Sequence, residues 1–386
     1  MRRWMQMGWL RGRVALALWA GLLIYGGAAG QLQAEKSESQ AAIKVGWIGP
    51  ITGPLSKWGS YQAALLALED VNAAGGIRGR KLELIFEDGK GQGKEAASAA
   101  QKLINVDQVK YILGGHCTPE SLAVAPIAEK AGVIMMAAIT SNPYLTTAGD
   151  NIFRVTVVSV TGAERLFAYA SKERGLKRFA VIYEETDYPR PQAEKFRSLV
   201  QQSGGVLVGY QGFPPSESDF RTVLSKIRLE KPDALYLATS SPDFVILLFR
   251  QIRELGLKAL LLGNENSGIA VNSAGLFKPV FDGVIYAASK HDPKAPKTRT
   301  FNERYQLRYG FVPPYGAYTA EGYDTVMLLA EILGTCGDNA ATVKKCLYAV
   351  RNYEGASGSF SIDLNGDAQR EYEVLQVLNG VIGPVR

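Results

Sequence analysis

The chain holds two histidines, His116 and His291, and three cysteines, Cys117, Cys336 and Cys346. A nucleophilic site needs a thiol or hydroxyl beside a base that a third group orients. Cys117 follows His116 directly, and residues adjacent in sequence rarely aim both side chains at one substrate. No third member of a triad is evident. The cysteine spacings make no zinc motif. The run Gly89-Lys90-Gly91-Gln92-Gly93-Lys94-Glu95 has the wrong glycine spacing for a phosphate loop, and Glu95 stands where Ser or Thr is needed. No Gly-x-Ser-x-Gly elbow and no dinucleotide fingerprint occur. Glu184, Glu185 and Asp187 follow a strand, but catalytic carboxylates need burial to separate their pKa values. They read as a loop of exposed acids. The expectation is therefore no catalytic residue, no metal, no cofactor and no enzyme.

The elements that position these residues alternate. Apolar strand patterns at 44–48, 81–86, 109–113 and 133–137 alternate with helical spacing at 61–72, 94–106 and 120–130. The pattern restarts with strands at 152–158, 178–183, 206–211, 234–238, 260–263 and 283–287, and helices at 162–174, 192–203, 219–229 and 243–255. Repeated β-α units of this length imply parallel strands covered by helices on both faces. The fold class is α/β, with two doubly wound halves. Helices at 298–309, 317–333 and 342–352 and strands at 358–362 and 374–378 follow; they are expected to complete the two earlier halves.

In open α/β sheets, ligands bind beyond the carboxyl ends of the strands. Those ends carry Thr52 to Gly59 with Trp58, then Gly114-Gly115-His116-Cys117-Thr118-Pro119, then Ile139-Thr140-Ser141-Asn142. In the second half they carry Glu184 to Tyr188, Thr239-Ser240-Ser241 and Asn264-Glu265-Asn266. Hydroxyls and helix N-terminal amides suit an anion, a carboxylate suits a cation, and aromatics make walls. The same Ser, Thr and Asn could instead be helix caps.

Composition sets the context. Of 386 residues, 47% are hydrophobic and 21% charged, which allows two cores of ordinary size. The net charge of +6 owes much to Arg2, Arg3, Arg11 and Arg13. The chain after residue 34 is near neutral, so no nucleic-acid partner is expected. Residues 1–34 read as a signal peptide: a basic start, an apolar run at 14–25, then small residues. The apolar run is well short of the roughly 20 residues that span a bilayer. Export to an oxidising compartment makes Cys336 and Cys346, across a short loop and helix, the expected disulfide. Cys117 is then left as a small buried residue beside a Gly-Gly turn.

The sequence resembles the type I periplasmic solute-binding proteins of the branched-chain amino acid and amide ABC-transporter family. The stretches that carry the resemblance are Ile43 to Pro50, Thr52-Gly53-Pro54 to Gly59, Asp70-Val71-Asn72-Ala73-Ala74-Gly75-Gly76-Ile77-Arg78-Gly79-Arg80, and Tyr318 to Asp324. The resemblance implies two Rossmann-like lobes with parallel sheets, joined by a three-crossover hinge. The first lobe would hold 43–156 and 290–354, and the second 157–289 and 355–386. It also implies a small-molecule ligand in the cleft, an amino acid, amide or aromatic acid, and an ABC permease as partner of a periplasmic monomer.

By the same resemblance, Thr118 and Ser141, with the backbone of Ile139, would hold an α-carboxylate and amino group. Trp58 would form an aromatic wall, and Tyr188 and Glu265 would be the second-lobe residues, Glu265 facing the α-ammonium. Ser240 stands where branched-chain binders have Tyr, and Arg190 is a candidate partner for a second ligand carboxylate. A ligand sensor on the same fold and an exported amidase-type hydrolase are the alternative functions.

Overall fold

Parallel β-α units open the chain: β1 (Ile43–Gly49), α1 (Ser60–Ala73), β2 (Leu82–Asp88), α2 (Gly93–Asn105), β3 (Tyr111–Gly114), α3 (Thr118–Ala131), β4 (Ile134–Ala137) and β5 (Ile152–Arg154). The computed structural model describes residues 41–385; the expected signal segment 1–34 lies outside them. The five strands pair in parallel in the order β2-β1-β3-β4-β5. β3 and β4 are buried along their whole length, as a parallel sheet covered on both faces requires. With this order the loops leaving β1 and β3 diverge, which opens a crevice at their carboxyl ends.

The plan repeats in α4 (Val160–Ala168), β6 (Arg178–Glu184), α5 (Pro189–Gln202), β7 (Val206–Phe213), α6 (Arg221–Leu229), β8 (Ala234–Ala238), α7 (Pro242–Glu254), β9 (Leu260–Gly263), α8 (Asn266–Ser273) and β10 (Ile285–Ser289). The parallel order β7-β6-β8-β9-β10 reproduces that of the first sheet and places a second crevice between β6 and β8.

The tail serves both lobes. Helices α9 (Pro296–Tyr309), α10 (Ala317–Cys336) and α11 (Ala340–Tyr348) lead to a small antiparallel sheet of β11 (Tyr353–Gly355), β12 (Gly358–Ile362) and β13 (Ala368–Gln369). Strands β14 (Tyr372–Leu378) and β15 (Val381–Pro384) then extend the second sheet antiparallel beyond β10. Val326, Leu329 and Ile332 of α10 share one core with Trp47, Tyr111 and Phe153. A disulfide joins Cys336 at the end of α10 to Cys346 in α11.

Three expectations need correction. Residues 355–369 belong with the first core, not the second: Phe360, Ile362 and Ala368 pack beside Trp47 and Val155. The pairing of Tyr353 with Phe360 makes a hairpin that cannot be divided between lobes. The strand expected at 152–158 ends at Arg154, because the chain there leaves the first sheet. The helix expected at 342–352 ends at Tyr348, and Tyr353 already pairs in a strand.

The chain therefore crosses between lobes at 155–159, 290–295 and 370–371. The crossovers share a polar knot. Arg370 donates through Nε and Nη2 to the Val155 carbonyl, at 2.9 and 2.7 Å, and through Nη1 to the Ser357 carbonyl at 3.1 Å. Asp324 of α10 accepts from the Ala356 and Ser357 amides at 2.7 and 2.8 Å. The Lys290 amide donates to the Glu371 carbonyl at 2.9 Å. The buried Glu321 lies 3.9 Å from Arg370, and burial pushes its carboxyl up to about 7, against the pull of Arg370.

That shift sets a pH dependence. The native state holds the Glu321 proton up to about pH 7, whereas an unfolded chain releases it near the ordinary pKa of about 4.3. This group's stabilisation is thus complete below the unfolded pKa and is lost as pH rises through the folded one. The loss is roughly 3–4 kcal/mol at about 1.4 kcal/mol per pH unit between the two values. Glu321→Gln should shrink the difference in unfolding free energy between pH 4 and pH 8 by about that amount. Urea titrations at the two pH values measure it; an unchanged difference would refute the assignment.

Candidate functional site

The carboxyl ends of both sheets face one cavity of about 270 Å³, walled by both lobes. The first lobe supplies Trp58 from the short 3-10 turn Pro54–Trp58 after β1. Its carbonyl accepts from Thr319 Oγ1 at 2.8 Å. The indole stacks on Tyr315 with centroids 4.3 Å apart and meets the His116 ring edge-on at 5.1 Å. Thr118 opens α3, a helix of 14 residues, so the cavity also receives a helix N-terminus with its partial positive charge and the Thr118 amide, while the Glu120 amide is capped by the Cys117 side chain. Neither the Thr118 hydroxyl nor the Ser141 hydroxyl bonds another described residue, although both residues are buried.

A glycine makes this approach possible. Gly114 has φ 110°, and a Cβ there would lie 1.9 Å from the Ile48 carbonyl oxygen. Only glycine lets β3 end so close to β1 and turn His116, Cys117 and Thr118 into the crevice. The loop after β4 is held from below. Arg154, fully buried, donates to the Asn142 carbonyl at 2.7 Å and to the Thr140 carbonyl at 3.3 Å, and pairs with Asp367 at 2.7 Å. Ser141 lies between those two carbonyls.

The second lobe supplies Tyr188 at the start of α5 and Glu265 at the start of α8. The Tyr188 hydroxyl donates to Glu265 Oε1 in a short hydrogen bond. Burial raises the Glu265 carboxyl above its ordinary value, against that bond. Two carboxylates, Glu265 and Asp187, line the cavity, with no Lys or Arg among the described residues that do. Asn142 Nδ2 donates to the Asp187 carbonyl at 2.6 Å, a direct link between the two lobes at the rim.

All seven residues expected at the cleft, Trp58, Thr118, Ile139, Ser141, Tyr188, Ser240 and Glu265, line this one cavity. Ser240 does so with its hydroxyl already used, donating to Glu184 Oε2 at 2.6 Å while its amide donates to the same atom at 2.8 Å. Glu184 is consequently buried, not exposed as expected. It ties the two strand ends β6 and β8 together across the second crevice. Arg190 is exposed and does not line the cavity. Cys117, expected as a small buried residue beside a Gly-Gly turn, is half-buried and lines the cavity. Burial and Glu120 push its thiol well above the ordinary value, which leaves it protonated and a poor nucleophile. His116 and Tyr318 also line the cavity; their place at a strand end and in the late helix was the only signal for them.

Two α/β lobes crossed three times, with a cleft between opposed strand ends, define a type I solute-binding protein. The chain belongs to the periplasmic binding protein family, whose sequence model matches residues 42–381. It is 28% identical over 344 residues to Leu/Ile/Val-binding protein homolog 3 of Brucella melitensis, covering 86% of this chain and 90% of that one. It is 26% identical over 329 residues to the Leu/Ile/Val-binding protein of Escherichia coli K12, covering 84% and 88%. The crystal structure of a leucine binding protein from Thermotoga maritima superposes with a TM-score of 0.76 at 29% identity, covering 89% of this chain and 97% of that one. These relatives are substrate-binding proteins, not enzymes. No helix among the described residues is long and apolar enough to cross a membrane.

Proposed function

We propose that this chain is the periplasmic substrate-binding component of an ABC importer, and that its cleft captures an α-amino acid for delivery to a membrane permease. The observation that carries the ligand class is Glu265, a buried carboxylate with a tyrosine donor and no cation beside it. A buried charge without a counter-ion is costly, and a ligand ammonium removes that cost. Thr118 and Ser141, with the α3 N-terminus, offer donors to the ligand carboxylate, and the Ile139 carbonyl offers the ammonium an acceptor. A cavity of about 270 Å³ suits one amino acid, since drug-sized molecules occupy pockets of roughly 300–1,000 Å³. Binding in both lobes favours the closed form, which is the form a permease would recognise.

The test is a thermal-shift screen of amino acids, amides and aromatic acids. A ligand present at a hundred times its Kd adds about 2.7 kcal/mol to native stability. Stabilisation by α-amino acids supports the reading. Stabilisation only by acids that lack an amine would remove Glu265 as an ammonium partner and with it the amino-acid assignment.

A further inference from the structure

His116 is a buried imidazole on the cavity wall with one ring nitrogen engaged and one not. It is 7% exposed, and its ring lines the cavity with Trp58 packed edge-on against it. Its Nδ1 atom shares a 3.1 Å hydrogen bond with Ser60 Oγ, which fixes the plane of the ring. Nε2 lies on the other side of the ring and has no hydrogen-bond partner among the described residues. Nε2 is thus a hydrogen-bonding atom on the ligand wall that no described protein group engages, free to bond a ligand atom. Two neighbouring side chains on the wall are already engaged. The Cys117 thiol bonds Glu120, and the Ser240 hydroxyl is spent on Glu184.

We propose that His116 reads the ligand's side chain through a hydrogen bond at Nε2, so that the cleft favours α-amino acids whose side chains carry a neutral hydrogen-bonding group over purely apolar ones. This rests on the amino-acid reading above. The imidazole is uncharged at physiological pH, because burial pushes it down to about 3. It therefore recognises a hydroxyl, carbonyl or amide, not a negative charge. A second ligand carboxylate would find no Lys or Arg on the wall. Fixed by Ser60 and flanked by Trp58, the ring is a positioned reader and not a mobile one.

The experiment compares dissociation constants for matched pairs, tyrosine with phenylalanine, glutamine with methionine and threonine with valine, on the full chain and on His116→Leu and His116→Gln. Wild type should bind the polar member of at least one pair tenfold or more tightly than its partner. His116→Leu should abolish that preference, and His116→Gln, which keeps a hydrogen-bonding tip, should retain part of it. An apolar member preferred in every pair by wild type, or a preference unmoved in His116→Leu, would overturn the proposal. The deaminated counterparts of each pair separate the two claims. A polar preference confined to them sinks the amino-acid reading and leaves the role of His116 standing.

Discussion

Glu265→Gln should weaken binding of an α-amino acid by about 1.5–3 kcal/mol, the usual worth of a hydrogen bond to a charged group. That is roughly a ten- to hundredfold rise in Kd. The substitution keeps an oxygen for the Tyr188 hydroxyl, which now bonds Glu265 Oε1. It removes the charge and turns the other oxygen into a neutral amide nitrogen. In the ligand-free protein that charge has no cation to offset its burial, which raises its pKa. The amide should therefore leave the melting temperature of the unliganded protein unchanged or higher. Weaker binding without loss of stability is a signature that a merely structural residue would not give. Calorimetric titration together with thermal unfolding reads both quantities. Unaltered affinity would show that no ligand ammonium sits at Glu265.

Asp367→Ala should cost about 3–5 kcal/mol of stability, the range found when one partner of a buried ion pair is removed. Arg154 is fully buried and its Nε lies 2.7 Å from Asp367 Oδ1. Thr146 adds a 3.0 Å hydrogen bond to the same oxygen. Without the carboxylate the guanidinium keeps its bonds to the Thr140 and Asn142 carbonyls but not its counter-charge. Domains are stable by only about 5–15 kcal/mol, so the loss is a large share of the whole. The double substitution Arg154→Met, Asp367→Leu should recover much of it, because paired apolar groups avoid both desolvation costs. Urea denaturation of wild type and the two variants measures the effect; Asp367→Ala within about 1 kcal/mol of wild type would contradict the account. Ligand affinity should fall in the double variant, since Arg154 holds the loop that carries Ser141.

Much of the fold could be read from local patterns. Each β-α unit announces itself by apolar runs and glycine stops, such as Gly75-Gly76 after α1, and these depend on few distant contacts. The tail could not be read in this way. Whether Phe360 joins the first core or the second depends on its pairing with Tyr353 and on α10 beside it, which are long-range facts. The same limit applies to the site. Strand ends locate the cleft, and all seven expected residues reach it, because the switch point of each sheet places them there. What each side chain does is decided by its neighbours. Ser240 looks like a ligand contact until Glu184 captures its hydroxyl. His116 looks inert as a catalyst, and its place as an unpaired group on the wall emerges only once Ser60 and Trp58 are seen around it.

The central claim is that the cleft captures an α-amino acid through its ammonium as well as its carboxylate. The most direct test is calorimetric titration of the strongest amino-acid ligand against its deaminated counterpart, on the same protein at neutral pH. The account predicts at least tenfold weaker binding of the deaminated compound, with most of that difference gone in Glu265→Gln. Equal affinity for the two compounds would contradict it.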